Sequence, residues 1–387
     1  MKIAGIIAEY NPFHNGHAHH IAETRRRTGC DFVVVCMDGS YTQRGDAACL
    51  DKWTRARVAL ACGADAVFEL PTLWAVRTAD HFARGGVAVL GGLGCDILSF
   101  GCESGDEALL KKLALLRSHE PAEISAAIQF KLSEGKAHAR ARGEALAEYL
   151  GVDAEELNAP NLNLGAEYLR AMEELKLNME ACIVERIGGY HDAALGEIAS
   201  ASAIRAAILR GDDAHDAVPE MMRGELNRIA EMHAPDDLLL HTLRGMTEEA
   251  LCALPGCGEG LEKRILRCAK EAGTQAELLD KLKCKRYTHA RLNRLCAHAL
   301  LGLTRAMCER HPLPEYARLI GMRKDARALL GELKARSALP IVSDAAQLAD
   351  NEIFQLECRA TDLRALQMNH PAERKSGQEF TQKFVLV

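Results

Sequence analysis

Four of the chain's fifteen histidines fall within seven residues, as His14, His17, His19 and His20 of the stretch AEYNPFHNGHAHHI. Imidazoles crowded together with a proline and a glycine, directly behind an apolar run that starts at Lys2, suit contacts to phosphate. Two histidines three apart at a turn can donate hydrogen bonds to phosphoryl oxygens as charge builds on them. Gly16 lets a backbone come close to a phosphate, and the helix that follows supplies free N–H groups and a partial positive charge at its N-terminus. Any one of these histidines, taken alone, reads as an ordinary surface residue; four at one turn argue for a ligand. A metal is the other alternative, but no nearby cysteine or paired carboxylate completes a donor set, and none is assigned.

A second stretch, ERIGGYHDAALGEIASASAIRAAI, sets Ser200 and Ser202 ahead of a helix that carries Arg205. Ser202 reads as the N-cap, with Arg205 on the first turn, so hydroxyls, free N–H groups and a guanidinium converge on an anion. Lys52, in LDKW at the head of the second helix, is either a solvated lysine or a point charge on a polyphosphate. The glycines at Gly85-Gly86 and in GGLG at 91–94 lie in helical surroundings and read as close packing or helix ends. From Lys281 to Arg294, KLKCKRYTHARLNR holds six lysines and arginines and no acid, with Tyr287 and His289 interleaved. On a chain of net charge −6 this is either a footprint for a nucleic-acid backbone or a solvated helix face, and Arg323, Lys324 and Arg327 would extend it.

The elements that must position these groups follow from periodicity. Lys2–Ala8, DFVVVCMD, DAVFEL and CDILSFG read as strands. Helices alternate with them, from His17 to near Gly29, from Lys52 to Cys62, and over TADHFARGGVAVLGG. Such alternation predicts a doubly wound, Rossmann-like parallel sheet. The pattern is helical from about Gly105 to Gly151, ACIVERI adds a strand, and a short helix runs from Ser202 to Arg210 with Gly211 as its C′ glycine. Beyond that the chain reads as helix-dominated, with LPIVSD as one further strand. The expected division is an α/β domain over 1–215 and a mainly helical domain over 216–387.

Composition narrows the class. The 387 residues are 48% hydrophobic and 26% charged, ordinary for a globular protein with a large core. No apolar run approaches the roughly 20 residues a membrane helix needs, and no basic segment precedes an apolar one at the N-terminus. Fourteen cysteines without a CxxC pair suit reduced thiols in the cytoplasm. Neither a membrane nor DNA is an expected partner.

His-x-Gly-His behind the first strand, with Ser-x-Ser-x-Ile-Arg opening a late helix, resembles the paired signature of the nucleotidyltransferases. These are α/β enzymes that attack the α-phosphate of a nucleoside triphosphate and release pyrophosphate. GIIAEYNPFHNGH, QRGDAACLDKWTRARVALACGADAVFELP, SFGCE, PNLNLGAEYL, RIGGYHD and KRYTHARLNR follow one another as in the tRNA(Met) cytidine acetate ligase family. The resemblance implies that ATP activates acetate as acetyl-adenylate, and that the acetyl group passes to the exocyclic amine of the wobble cytidine in elongator tRNA(Met). It implies an ATP site made of Ile7, Ala8, Glu9, Tyr10, Asn11, Pro12, Phe13, His14, Asn15, Gly16, His17, Ala18, His19 and His20, with Gly101, Asn161, Arg186, Ile187 and Ser202. The chemistry would fall to His14, His17, Lys52 and Arg205, with magnesium carried by the nucleotide. The RNA would meet Lys283, Lys285, Arg286 and Arg291. Two departures stand out, Leu162 where the family has a second Asn and Ala199 where it has Ile. A nucleotidyltransferase of the same fold with another small acceptor, and a non-catalytic RNA-binding protein, are the competing readings. Intact histidines at both positions argue against the latter.

Overall fold

A computed structural model describes residues 1–136, 138–157, 159–186, 196–284 and 286–387. Five strands form a parallel sheet: β1 (Ile3–Ala8), β2 (Phe32–Asp38), β3 (Ala66–Leu70), β4 (Ile97–Cys102) and β5 (Glu180–Glu185). They lie in the order β5-β4-β1-β2-β3. The runs of β1 to β4 are mostly apolar without alternation because helices cover both faces, while β5 is a half-exposed edge. Ile3, Val34 and Phe68 enter one core, while Ala4, Val33, Val35 and Val67 enter the other, as the two-residue period requires. The chain leaves β1 toward β2 and β3 and later returns to β4 on the other side. The crevice at the carboxyl ends of β1 and β4 is therefore the switch point where such sheets bind ligands.

Two helices frame that crevice, α1 (Asn15–Thr28) behind β1 and α2 (Lys52–Ala61) between β2 and β3. The helix Ala79–Gly92 packs through its glycines, as expected of them. A Cβ on Gly86 would lie 2.7 Å from Ile7 Cδ1, and Gly85 faces Trp74. The stretch after Gly105 is helical as read, over Glu107–Ser118, Ala122–Ser133 and His138–Leu150.

The expected boundary near 215 needs correction. Ala317–Met322 forms β6, antiparallel to β3 with Glu69 opposite Arg318, and Ile341–Val342 (β7) and Val385–Leu386 (β8) pair along its far edge. The segment after about residue 316 thus returns to the sheet. The physical reason is that β3 would otherwise be an open edge and buried Glu69 would lack the Arg318 guanidinium. What remains helical is a smaller unit between them, built on Leu239, Leu243, Leu251, Leu261, Ile265, Leu278, Leu282, Leu292 and Leu295. Its last helix, His289–Leu301, docks on the loop after β2, where Asn293 donates to Arg44 O at 3.0 Å and Asp46 Oδ1 at 2.7 Å. LPIVSD supplies β7; β6 was not expected. Among the described residues no helix is long and apolar enough to cross a membrane.

Candidate active site

The histidine turn owes its shape to its own imidazoles. His14 is the N-cap of α1, and its Nδ1 accepts from Gly16 N at 3.1 Å. His17 Nδ1 accepts from His14 N at 3.2 Å. The two rings stack with centroids 3.7 Å apart. This is a capping box made of histidines instead of Ser and Glu. An Nδ1 that accepts must be the unprotonated nitrogen, so the proton of each neutral ring sits on Nε2. Among the described residues neither Nε2 has a protein partner, so both are donors for whatever enters the crevice.

Burial holds His14 neutral, with a pKa pushed down to about 3, and the nearby Arg186 guanidinium adds to the effect. Burial also pushes His17 well below its usual range, helped by His14 and Arg186. His20 falls to about 4 for the same reasons. Its Nε2 lies 3.1 Å from Ser99 Oγ, which also meets Thr24 Oγ1 at 2.7 Å. Ser99 and Thr24 were not anticipated; a single polar residue inside the apolar strand ILSFG was the available signal.

Gly16 also makes room for an imidazole: a Cβ there would stand 2.9 Å from His14 Cε1 and 3.1 Å from Nδ1. Several residues of the loop reach the crevice only through their backbone. The Tyr10 and Phe13 side chains lie in the core, and Ile7 and Pro12 are buried. Asn11 Oδ1 accepts from Cys49 N at 2.7 Å, and Asn15 Nδ2 donates to Glu197 O and Asp216 O, both at 2.8 Å. These are tethers. Ala8, Glu9, Ala18 and His19 are half-buried. Burial raises the Glu9 carboxyl above its ordinary range, against the pull of Gln43 N at 2.9 Å and of Arg205.

Residues from other strands stand as follows. Arg186 follows β5, with its N donating to Cys102 O at 2.9 Å, and its stem passes over Gly101, where a Cβ would lie 3.4 Å from Arg186 Cγ. Asn161 opens the helix Pro160–Glu174, and its Nδ2 donates to Glu103 Oε1 at 2.6 Å. Arg205 reaches the loop, donating to Asn11 O. Ile187 lies outside the described residues.

Three expectations change. Ser202 is not the cap of the Ala201–Arg210 helix; Ser200 is, with its Oγ accepting from Ala203 N at 3.2 Å, and Ser202 is exposed on the first turn. Arg205 consequently sits two residues further into the helix than a Ser202 cap would place it. Lys52 is no phosphate ligand. Its ammonium is fully buried between Glu69 and Glu379, and Arg318 binds the same two carboxylates. Burial works against its charge, yet the carboxylates outweigh burial and raise its pKa. An ammonium enclosed in this way has no open side for a triphosphate.

The basic stretch is partly spent within the helical unit. Arg286 pairs with Glu259, Arg291 donates to Gly256 O at 2.9 Å, and both lie over the Tyr287 ring. Lys283 is exposed and without an ion-pair partner among the described residues. Lys285 lies outside them.

A switch-point crevice, a histidine-capped helix N-terminus and converging arginines define a nucleotidyltransferase site. In keeping with this, the HIGH Nucleotidyl Transferase family model matches residues 1–379. The chain is 35% identical to the tRNA(Met) cytidine acetate ligase of Acetivibrio thermocellus, with all of both chains covered. It is 36% identical to that of Bacillus licheniformis, over 96% of this chain and 94% of the relative. Among solved structures it is similar to Thermotoga maritima TmcAL bound with alpha-thio ATP, at TM-score 0.89 and 29% identity over the whole of both chains. The apo form of that protein gives a TM-score of 0.91. The chain belongs to the HIGH nucleotidyltransferases and, within them, to the tRNA(Met) cytidine acetate ligase family.

Proposed function

We infer that the protein uses ATP to activate acetate and then acetylates the wobble cytidine of elongator tRNA(Met). The observation that carries the chemistry is the reciprocal cap of His14 and His17, which leaves two neutral Nε2–H donors unspent beside Arg186. An acetate oxygen attacks the α-phosphorus in line, the bond to the bridging oxygen breaks, and pyrophosphate leaves with the electron pair. The two Nε2–H groups, the positive end of the α1 dipole and the Arg186 guanidinium stabilise the charge that develops on the phosphoryl oxygens. Arg205, anchored on Asn11 O, keeps the rest of its fork for the departing phosphates. In the second step the cytidine amine attacks the acyl carbon, AMP leaves, and the nitrogen loses a proton. That step depends chiefly on positioning.

Among the described residues no cluster of three His, Cys, Asp or Glu side chains is set to hold an ion. This chain's neutral imidazoles and arginines fit a magnesium ion held by the nucleotide's own oxygens, where it would neutralise phosphate charge. For the RNA, Lys283 and the helical unit around it offer backbone contacts. Fourteen free cysteines, thirteen of them buried or half-buried, suit a reducing cytoplasm. The test is acetate-dependent ATP–pyrophosphate exchange, followed by mass spectrometry of tRNA nucleosides. Exchange driven by another acceptor, with no acetylcytidine formed, would overturn the assignment.

A further inference from the structure

A cavity of about 260 Å³ opens on the far edge of the sheet. It lies in a gap along β6. There β7 pairs with Ala317 and Arg318, and β8 with Gly321 and Met322, so Leu319 and Ile320 belong to an edge that neither strand covers. The ring of Trp53 and the phenylalanines Phe380 and Phe384 wall the cavity, with Arg318 and Glu379 behind. Phe380 is 52% exposed and Phe384 38%. Lys383, between the lining residues Gln382 and Phe384, and Arg374 and Lys375, a few residues before Phe380, are exposed and have no ion-pair partner among the described residues.

Aromatic faces that stack a base, open backbone groups that meet its edge, and unpaired cations that meet phosphate together describe a slot for single-stranded RNA. A peptide added as a strand would need a longer edge than two residues. A purely apolar ligand would leave the cations without a role. We propose that this cavity receives one unstacked base of the RNA substrate, a neighbour of the acetylated cytidine rather than the cytidine itself. The proposal rests on the tRNA reading above. β6 stands three strands from β1, a lateral distance of roughly 14 Å at about 4.8 Å per strand. Helix α2 links the two places, because Trp53 lines the cavity while Arg55 donates to Glu9 O at 2.6 Å. The base in the cavity and the base at the adenylate are therefore different nucleotides of one loop.

The test measures binding of a synthetic hairpin carrying the elongator tRNA(Met) anticodon loop, alongside acetate-dependent pyrophosphate exchange. Two variants are compared, Phe380→Ala with Phe384→Ala, which removes the walls, and Ala346→Trp, which plugs the cavity. Each should weaken hairpin binding about tenfold or more, as the loss of one stacked base implies, and leave exchange as in the unmodified protein. Lys383→Ala should lower the salt slope of binding by about 0.7, one single-strand phosphate contact. Unchanged hairpin affinity in both cavity variants overturns the proposal. A loss of exchange in step with binding also overturns it, since it would mean structural damage. A change in oligomeric state with affinity intact assigns the face to a second copy and overturns it too. Absence of acetate-dependent exchange in the unmodified protein would instead break the proposed function, while the hairpin comparison still stands.

Discussion

The turn at His14 and the cluster around Lys52 both bury polar side chains close to α2, and they use them in opposite ways. At the turn each imidazole satisfies one backbone N–H and keeps the other nitrogen free. In the cluster two cations, Lys52 and Arg318, meet the carboxylates of Glu69 and Glu379, and Glu357 accepts from Thr72 Oγ1 at 2.8 Å. Burial, and the neighbouring Glu69 charge, push the Glu357 carboxyl well above its usual range. A half-satisfied polar group beside a crevice is poised to bind. A fully satisfied one holds the fold. Charge and family resemblance put Lys52 with the first kind; its partners put it with the second.

The contrast is sharpest if each region is broken separately. His17→Ala removes a donor to the developing charge and is expected to slow acetate-dependent exchange by two to four decades, roughly 3–5 kcal/mol of barrier. The melting temperature should move little by comparison. Lys52→Met should do the reverse. With Glu69 and Glu379 left sharing Arg318, unfolding should become easier by about 3–5 kcal/mol in urea titration, as for a broken buried pair. Exchange per folded molecule should persist; a Lys52→Met protein that folds normally and fails in exchange would return this lysine to the phosphates.

Acidification separates the regions by sign. His14 and His20 titrate near 3 and 4 in the fold, against about 6.5 in an unfolded chain. Between these values the unfolded chain takes up protons that the folded one refuses. Their contribution is therefore present above pH 6.5 and lost as pH falls toward 4, by a few kcal/mol at most. Urea midpoints measured from pH 7 to pH 4 should fall, and His20→Asn should flatten that fall. Gly16→Ala probes the turn more gently: displacing the His14 ring should cost about tenfold in exchange, or ~1.4 kcal/mol. The smallest effect distinguishes the two serines. Ser200→Ala should cost about 1 kcal/mol of stability as a lost cap, and Ser202→Ala should leave stability as it was.

The parallel part of the sheet was legible because the strands are mostly apolar runs and helices lie between them. The histidine turn was legible from four imidazoles in seven residues. What escaped notice depends on distant partners. ARLIGM at 317–322 begins with a charged Arg318 and shows no alternation, and only its pairing with β3, some 250 residues earlier, makes it a strand. The fate of Lys52 is decided by Glu379, and nothing near LDKW foretells it. Ser200 and Ser202 have the same chemistry two residues apart, and only backbone angles choose the cap.

The pairing of Lys52 with Glu379 also bears on synthesis. A ribosome delivers β1 to β5 long before Glu379, β8 and the Val385 side chain that packs over Gly321. Until then an ammonium and a glutamate lie in a core that has not closed, so the cluster is complete only when segments more than 300 residues apart have met.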